Sequence, residues 1–127
     1  KELLQTQQKY YLVDTGMRRV LLGRDTQFDT GRALENIIYL ELIRRGYQVW
    51  IGKTKSGKEV DFVARTPTGV LEYYQVTETM LGEAVREREL SALRNIDEQH
   101  KKTIITLDPG SNNYEGISQV NAIDWLL

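Results

Sequence analysis

Residues 59–77 read EVDFVARTPTGVLEYYQVT, which is the pattern of two strands joined by a tight turn. Apolar, aromatic and β-branched side chains fill both arms, and the proline and glycine within residues 66–69 are typical of the turn between them. Because side chains alternate along a strand, Val60 and Phe62 are expected on one face and Asp61 on the other. Asp61 is therefore a charge inside an apolar strand, and it needs a partner if it is buried.

The second arm of this hairpin carries polar residues on one face. By the same alternation, Tyr73, Gln75 and Thr77 share a face, and Glu72 lies on the opposite one. Glu72 is therefore not expected to reach a site built around Gln75.

Helical and strand patterns flank the hairpin on both sides. Thr30 is placed to cap a long helix that Gly46 would end, and a second, amphipathic helix follows the hairpin. A strand that follows a crossover helix into the same sheet makes that sheet mixed, so the sequence predicts an α/β fold of order αβββαβ with a central mixed sheet flanked by helices. The predicted bounds are Gly31–Arg45 and Gly82–Asp97 for the helices, Tyr47–Ile51, Glu59–Arg65, Val70–Thr77, Thr103–Leu107 and Ile117–Asn121 for the strands, and Ala122–Leu127 for a terminal turn.

Composition excludes several classes of protein. The 127 residues form a single predicted domain, residues 1–127, without cysteine and with one histidine, His100. Thiol nucleophiles, zinc–thiolate sites, disulfide scaffolds and multi-histidine metal sites are therefore excluded. No apolar run approaches the roughly 20 residues that cross a bilayer, so we expect a cytoplasmic protein with no membrane partner. The first residue is Lys1, not methionine, and we expect the chain to be a piece of a larger protein.

Charge is distributed unevenly along the chain. Residues 17–65 carry ten basic and six acidic side chains, and residues 66–127 carry five basic and ten acidic ones. The positive middle predicts contact with phosphates, and a solvated surface is the alternative. The candidate binding residues in it are Arg44, Arg45, Lys53, Lys55 and Lys58.

The sequence around two candidate motifs, a P-loop and a catalytic histidine, excludes both. Residues 52–58, GKTKSGK, have P-loop spacing, but Glu59 stands where a hydroxyl must hold Mg²⁺, and a strand pattern follows instead of a helix. His100 lies in a polar run without a nucleophile elbow, so we expect a solvated loop histidine.

Several segments together carry a resemblance to a known family. They are residues 33–42 (ALENIIYLEL), 57–64 (GKEVDFVA), 73–77 (YYQVT), 9–16 (KYYLVDTG) and 123–127 (IDWLL). The chain resembles the uncharacterised C-terminal domain of a large bacterial and archaeal family of AAA+ ATPases. The resemblance implies a restriction-endonuclease-like fold of the PD-(D/E)xK superfamily. It also implies an upstream partner in the same protein, a P-loop ATPase module with a winged helix, where ATP would bind.

The resemblance also implies a site. In active superfamily members a helix Glu, a strand Asp and an acid-x-Lys on the next strand bind Mg²⁺ and position water for phosphodiester hydrolysis. Matched by position, these fall on Glu35, on Asp61 and on residues 73–75, where tyrosine replaces the acid and Gln75 replaces the lysine. Glu35, Asp61 and Gln75 are thus the candidate catalytic residues of a degenerate site, and Glu35 and Asp61 would be the metal ligands of an active one.

Three functions stay open at this point. The first is an accessory domain that binds DNA or a protein partner with a degenerate site, the second a Mg²⁺-dependent deoxyribonuclease, and the third a structural module that holds the ATPase in an oligomer. Asp61 could also be a buried acceptor paired with Arg44, Arg45 or a strand lysine. On the helical wheel Glu41, not Glu35, lies deeper in the apolar arc.

Overall fold

The computed structural model describes residues 30–54, 56–97 and 99–127. The opening part of the resemblance, residues 9–16, and the candidate Lys55 lie outside them. Three helices and six strands occupy the described residues in the order α1 (Thr30–Arg44), β1 (Gln48–Lys53), β2 (Glu59–Arg65), β3 (Leu71–Val76), α2 (Glu83–Arg94), β4 (Lys101–Thr106), β5 (Asn112–Tyr114), β6 (Ile117–Asn121) and α3 (Ala122–Leu126).

The strands form one mixed sheet with the order β1-β2-β3-β4-β6-β5. β1, β2 and β3 pair antiparallel in chain order. Helix α2 then carries the chain to β4, which lies parallel to β3, and β6 lies parallel to β4. The prediction of an α/β fold with a mixed sheet is confirmed.

Helix α1 covers one face of the central strands. Its buried side chains Leu34, Ile38 and Leu42 form one apolar cluster with Phe62 of β2 and Tyr74 of β3. The three residues are spaced four apart, so they lie along a single stripe of the helix. This stripe fixes α1 against β2 and β3.

Helix α2 covers the other face. Leu90 and Leu93 of α2 form a second cluster with Val60 of β2 and Ile104 of β4. Because both faces are buried, β4 shows a continuous run of buried residues after its first position.

Strand β2 departs from regular alternation at Asp61. Trp50 of β1 lies opposite Val63, and Gly52 lies opposite Val60, so β2 carries one residue more than β1 between these two pairs. The extra residue reverses the face to which the following side chains point. Val60 therefore packs on the α2 side of the sheet and Phe62 on the α1 side. The expectation that Val60 and Phe62 share a face is therefore wrong, and the reason is the extra residue.

The short strand β5 is not among the strands that the sequence predicts. Its residues, Asn112-Asn113-Tyr114, lack the β-branched pattern of a strand. Glu115 and Gly116 both have positive φ, 54° and 93°, which is the backbone of a two-residue hairpin turn. The turn folds β5 back onto β6, so the backbone of the turn creates this strand and side-chain pattern does not.

The helices of the described ranges are short. The longest, α1, has 15 residues. None is both long and apolar enough to cross a membrane.

Candidate functional site

A polar cleft of about 710 Å³ lies beside the start of β2 and the end of β3. Glu35 from α1, Asp61 from β2 and Gln75 from β3 all line it, and so does Lys58 from the β1–β2 hairpin. The mixed sheet thus brings together the three candidate catalytic residues, which are far apart in sequence, and one of the candidate binding residues.

Asp61 and Gln75 hold β2 and β3 together where the bulge interrupts their pairing. Regular pairing of the two strands runs from Arg65 opposite Leu71 to Phe62 opposite Tyr74. At the next position the backbone N–H of Val76 donates to Asp61 Oδ2 over 2.8 Å, and the backbone N–H of Asp61 donates to Gln75 Oε1 over 2.7 Å. Two side chains therefore supply acceptors for backbone N–H groups at the point where the regular ladder stops.

The structure adds Glu89 of α2 to this site. Glu89 is only 8% exposed, and Gln75 Nε2 donates to its Oε1 over 3.2 Å. Arg88 Nε lies 3.4 Å from the second carboxylate oxygen. Glu89 belongs to no motif of the sequence, and the signal for it is its spacing of four from both Val85 and Leu93, which places it on the apolar face of α2.

Burial and like charges raise the proton affinity of two carboxylates in the cleft. Burial raises the pKa of Asp61, the N–H of Val76 lowers it in part, and the charge of Glu59 raises it further. Burial also raises the pKa of Glu89, and the charge of Asp61 adds to the rise, while Arg88 and Gln75 act in the opposite direction. A buried, ionised carboxylate is costly in both positions, so each stabilises the fold less when it is charged.

The donors of the cleft do not fit Mg²⁺. This cation requires near-octahedral oxygen ligands at about 2.1 Å. Among the described residues, no three Asp, Glu or His side chains are grouped closely enough to hold a metal ion. Asp61 Oδ2 and Gln75 Oε1 already accept backbone N–H groups. Glu35 and Asp61 share a cleft, but together with Gln75 they do not form a metal centre in this arrangement.

Tyr73 lies away from the cleft. It lines a separate groove, where its ring centroid is 5.5 Å from that of His100. Gln75 and Thr77 are the residues of the β3 segment that line the cleft from the predicted polar face. The matching of the acid-x-Lys motif to residues 73–75 therefore does not fit the cleft, because Tyr73 lies two residues before Gln75 along β3 and lines the other groove.

Arg44 and Arg45 are engaged in the fold. Glu41 is 4% exposed, and its carboxylate accepts from Arg44 Nε and Nη2 and from Arg45 Nε, at 2.8, 2.6 and 2.8 Å. Arg45 Nη2 also donates to the Trp125 carbonyl over 2.6 Å, and the Arg45 guanidinium lies 4.1 Å from the centre of the Trp125 ring. The prediction that these two arginines bind a ligand is thus not supported by their contacts, because they neutralise a buried carboxylate.

The same contacts do not favour the alternative in which Asp61 pairs with Arg44 or Arg45. Arg44 and Arg45 pair with Glu41, and Asp61 accepts from a backbone N–H. The expectation that Glu41 lies deeper than Glu35 is confirmed.

Among the described residues of the β1–β2 hairpin, Lys53 and Lys58 are exposed. Lys53 ends β1, Lys58 precedes β2, and the side chain of Thr54 accepts from the N–H of Lys58 over 3.1 Å. A strand follows this loop, as expected for a hairpin and not for a P-loop. Lys53 and Lys58 therefore stay available to solvent or a ligand.

Comparisons with known proteins identify a relative but no function. The chain is 39% identical over 132 aligned residues to an uncharacterised protein of Haemophilus influenzae, and the match covers all of this chain and 30% of that protein. The chain matches no protein-family model. No solved structure matches it either. The chain thus spans less than a third of the length of this relative.

Proposed function

We propose that this chain is the accessory C-terminal domain of an AAA+-type ATPase, that it has a restriction-endonuclease-like fold, and that it binds nucleic acid beside a degenerate catalytic cleft. The observation that carries the proposal is the meeting of Glu35, Asp61 and Gln75 in one cleft. They come from a helix, a strand and the next strand, which is the arrangement that the resemblance implies.

The residues of the cleft favour binding over hydrolysis. Gln75 and Thr77 line the cleft two residues apart at the end of β3. In an active enzyme the acid would stand in the place of Gln75 and the lysine in the place of Thr77. A lysine of this kind stabilises developing charge, and removal of such a donor costs about 2.7–4 kcal/mol in the transition state. The side chains of Asp61 and Gln75 are also engaged in holding the two strands together.

Electrostatics favour phosphate contacts at the rim of the cleft. Its lining includes five carboxylates, from Glu35, Glu59, Asp61, Glu78 and Glu89, and two cationic groups, from Lys58 and Arg88. This excess of negative charge repels a phosphodiester from the interior. The exposed hairpin lysines, Lys53 and Lys58, are the groups that would attract the phosphate backbone.

The length of the relative is compatible with a further module in the same protein. The match with the Haemophilus influenzae protein leaves 70% of that protein outside this chain. We assign the ATPase module, and with it the binding of ATP, to the remainder of the parent protein. That module would be a partner of this domain within the same protein.

The test is a DNA-binding titration of the 127-residue chain at two salt concentrations, in EDTA. We expect binding that weakens with salt, and Lys58→Gln should reduce the slope of log affinity against log salt by about one. Lys101→Gln, which removes an exposed lysine of β4 that does not line the cleft, is the matched control and should leave the slope unchanged. Absence of binding at low salt, or an equal effect of both variants, would refute the proposal.

Mg²⁺-dependent hydrolysis of DNA is the alternative that the resemblance implies, and the described carboxylates of the cleft do not favour it, because they form no metal site. Incubation of labelled DNA with Mg²⁺ or Mn²⁺ separates hydrolysis from binding. Cleavage that Asp61→Asn abolishes, with binding retained, would establish an active nuclease. Intact DNA under both metals would leave binding as the function.

A further inference from the structure

A second groove lies beyond the hairpin, on the face of the sheet that α2 covers in part. Helix α2 ends at Arg94, and the segment after it borders an open region over β1, β2 and β3. The groove has a volume of about 940 Å³. Lys53 of the hairpin lines this groove and Lys58 lines the polar cleft, so the two concave sites lie on either side of one hairpin.

Aromatic rings line the floor of this groove. Trp50 is 42% exposed, although it lies in a strand, and it is among the large apolar side chains left in solvent. Tyr73 and His100 form a tilted pair with centroids 5.5 Å apart. Ile51, which is 72% exposed, adds an apolar surface to the same lining. Planar rings on an apolar surface are the feature on which nucleic-acid bases stack.

Two cationic groups and one carboxylate lie beside the rings. Lys53 lines the groove, and the Arg65 guanidinium lies 6.0 Å from the centre of the Trp50 ring. Asp97 is the one acidic residue among the described residues that line the groove, and its Oδ1 accepts from the N–H of Gln99 over 3.1 Å. The polar cleft has an excess of carboxylates, whereas this groove offers positive charge next to exposed rings. The combination is complementary to a phosphate backbone with unpaired bases.

We infer that the groove formed by Trp50, Tyr73, His100 and Lys53 binds single-stranded nucleic acid, with bases stacked on the rings and phosphates held by Lys53 and Arg65. The inference rests on the proposed function and names its substrate class. A duplex keeps its bases paired and stacked inside, so rings on a protein surface reach bases only in single strands. A strand in the groove would pass over the hairpin beside the polar cleft.

The test compares single-stranded and double-stranded DNA on the 127-residue chain. The probes are a fluorescein-labelled oligothymidylate of about 15 nucleotides and a duplex of equal length, followed by anisotropy. We expect tighter binding of the single strand. Trp50→Ala should weaken it by about fivefold to 150-fold, since one base-aromatic stack contributes about 1–3 kcal/mol. Val70→Ala, an exposed apolar residue outside the groove, is the matched control and should leave affinity unchanged.

Intrinsic fluorescence gives an independent readout. The chain has two tryptophans, and Trp125 lies beneath Arg45, away from the groove. Oligothymidylate should therefore quench wild-type fluorescence through Trp50, and the quenching should be lost in Trp50→Phe. Binding of the duplex but not of the single strand would overturn this inference and leave the proposed function intact. Binding of neither would overturn both, and an equal loss in Trp50→Ala and Val70→Ala would overturn the assignment of the strand to this groove.

Discussion

The exchange of hydrogen bonds between Asp61 and β3 predicts that two substitutions of Asp61 differ in stability. Asparagine retains an oxygen that can accept from the N–H of Val76, and alanine does not. Both remove the carboxylate charge. The comparison of Asp61→Asn with Asp61→Ala therefore isolates the hydrogen bond from the charge.

The magnitude follows from the burial of Val76, which is 7% exposed. A buried N–H left without an acceptor costs about 1–3 kcal/mol. We expect Asp61→Ala to be less stable than Asp61→Asn by about 2 kcal/mol, or about 8 °C in Tm for a domain of this length. Asp61→Asn should be as stable as the wild type at neutral pH, or more stable, because it removes a buried charge.

The pH dependence gives the sign of the charge effect. Burial first, and then Glu59, raise the pKa of Asp61 in the folded state. A raised folded pKa means that the contribution of Asp61 to stability is fully present below its ordinary, unfolded pKa and is lost as the pH rises through the folded pKa. Asparagine does not titrate. The stability of Asp61→Asn relative to the wild type should therefore increase from acid to neutral pH.

The assay is urea unfolding of the three proteins, followed by circular dichroism across this pH range. Similar slopes against urea would show that the variants unfold from comparable states. Equal stability of Asp61→Asn and Asp61→Ala would refute the proposed role of the side chain in joining β2 to β3. A decrease in the stability of Asp61→Asn relative to the wild type from acid to neutral pH would refute the assignment of the buried charge.

Two further substitutions test the packing around the site. Glu41→Gln should cost about 2 kcal/mol at neutral pH, because Arg44 and Arg45 lose their shared carboxylate. Burial raises the pKa of Glu41, but the two arginines lower it overall, so the loss of stability should shrink as the pH falls through the folded pKa. Denaturant titration at two pH values measures this change. Gly52→Ala should cost about 1–3 kcal/mol in thermal unfolding, because an added Cβ would overlap Val63 Cγ2. Gly82→Ala, whose Cβ would have only ordinary contacts, is its control and should stay within about 0.5 kcal/mol.

Much of the fold follows from local patterns in the sequence. The strand over Glu59–Arg65 and the strand over Ile117–Asn121 have the predicted bounds, because apolar and polar residues mark both of their ends. Helix α2 ends at Arg94, three residues before the predicted end at Asp97. Local propensity does not fix such ends, because the last turn competes with the loop that leads to β4.

The candidate site was predictable in its members and not in its contacts. The resemblance selected Glu35, Asp61 and Gln75, and all three line the cleft. The bulge in β2 arises from pairing with β1, so no pattern within β2 reveals it. Glu89 belongs to the site because α2 packs over β3, and a sequence shows only that it lies on an apolar helix face.

The hydrogen bonds by which Asp61 and Gln75 join β2 to β3 have an evolutionary consequence. Selection for a stable fold would keep a hydrogen-bond acceptor at positions 61 and 75 even in relatives without catalytic activity, because each side chain accepts from a backbone N–H of the other strand. Retention of such residues among descendants is therefore ambiguous evidence of enzymatic activity. Correlated replacement of the pair across relatives would be the signature of a structural constraint.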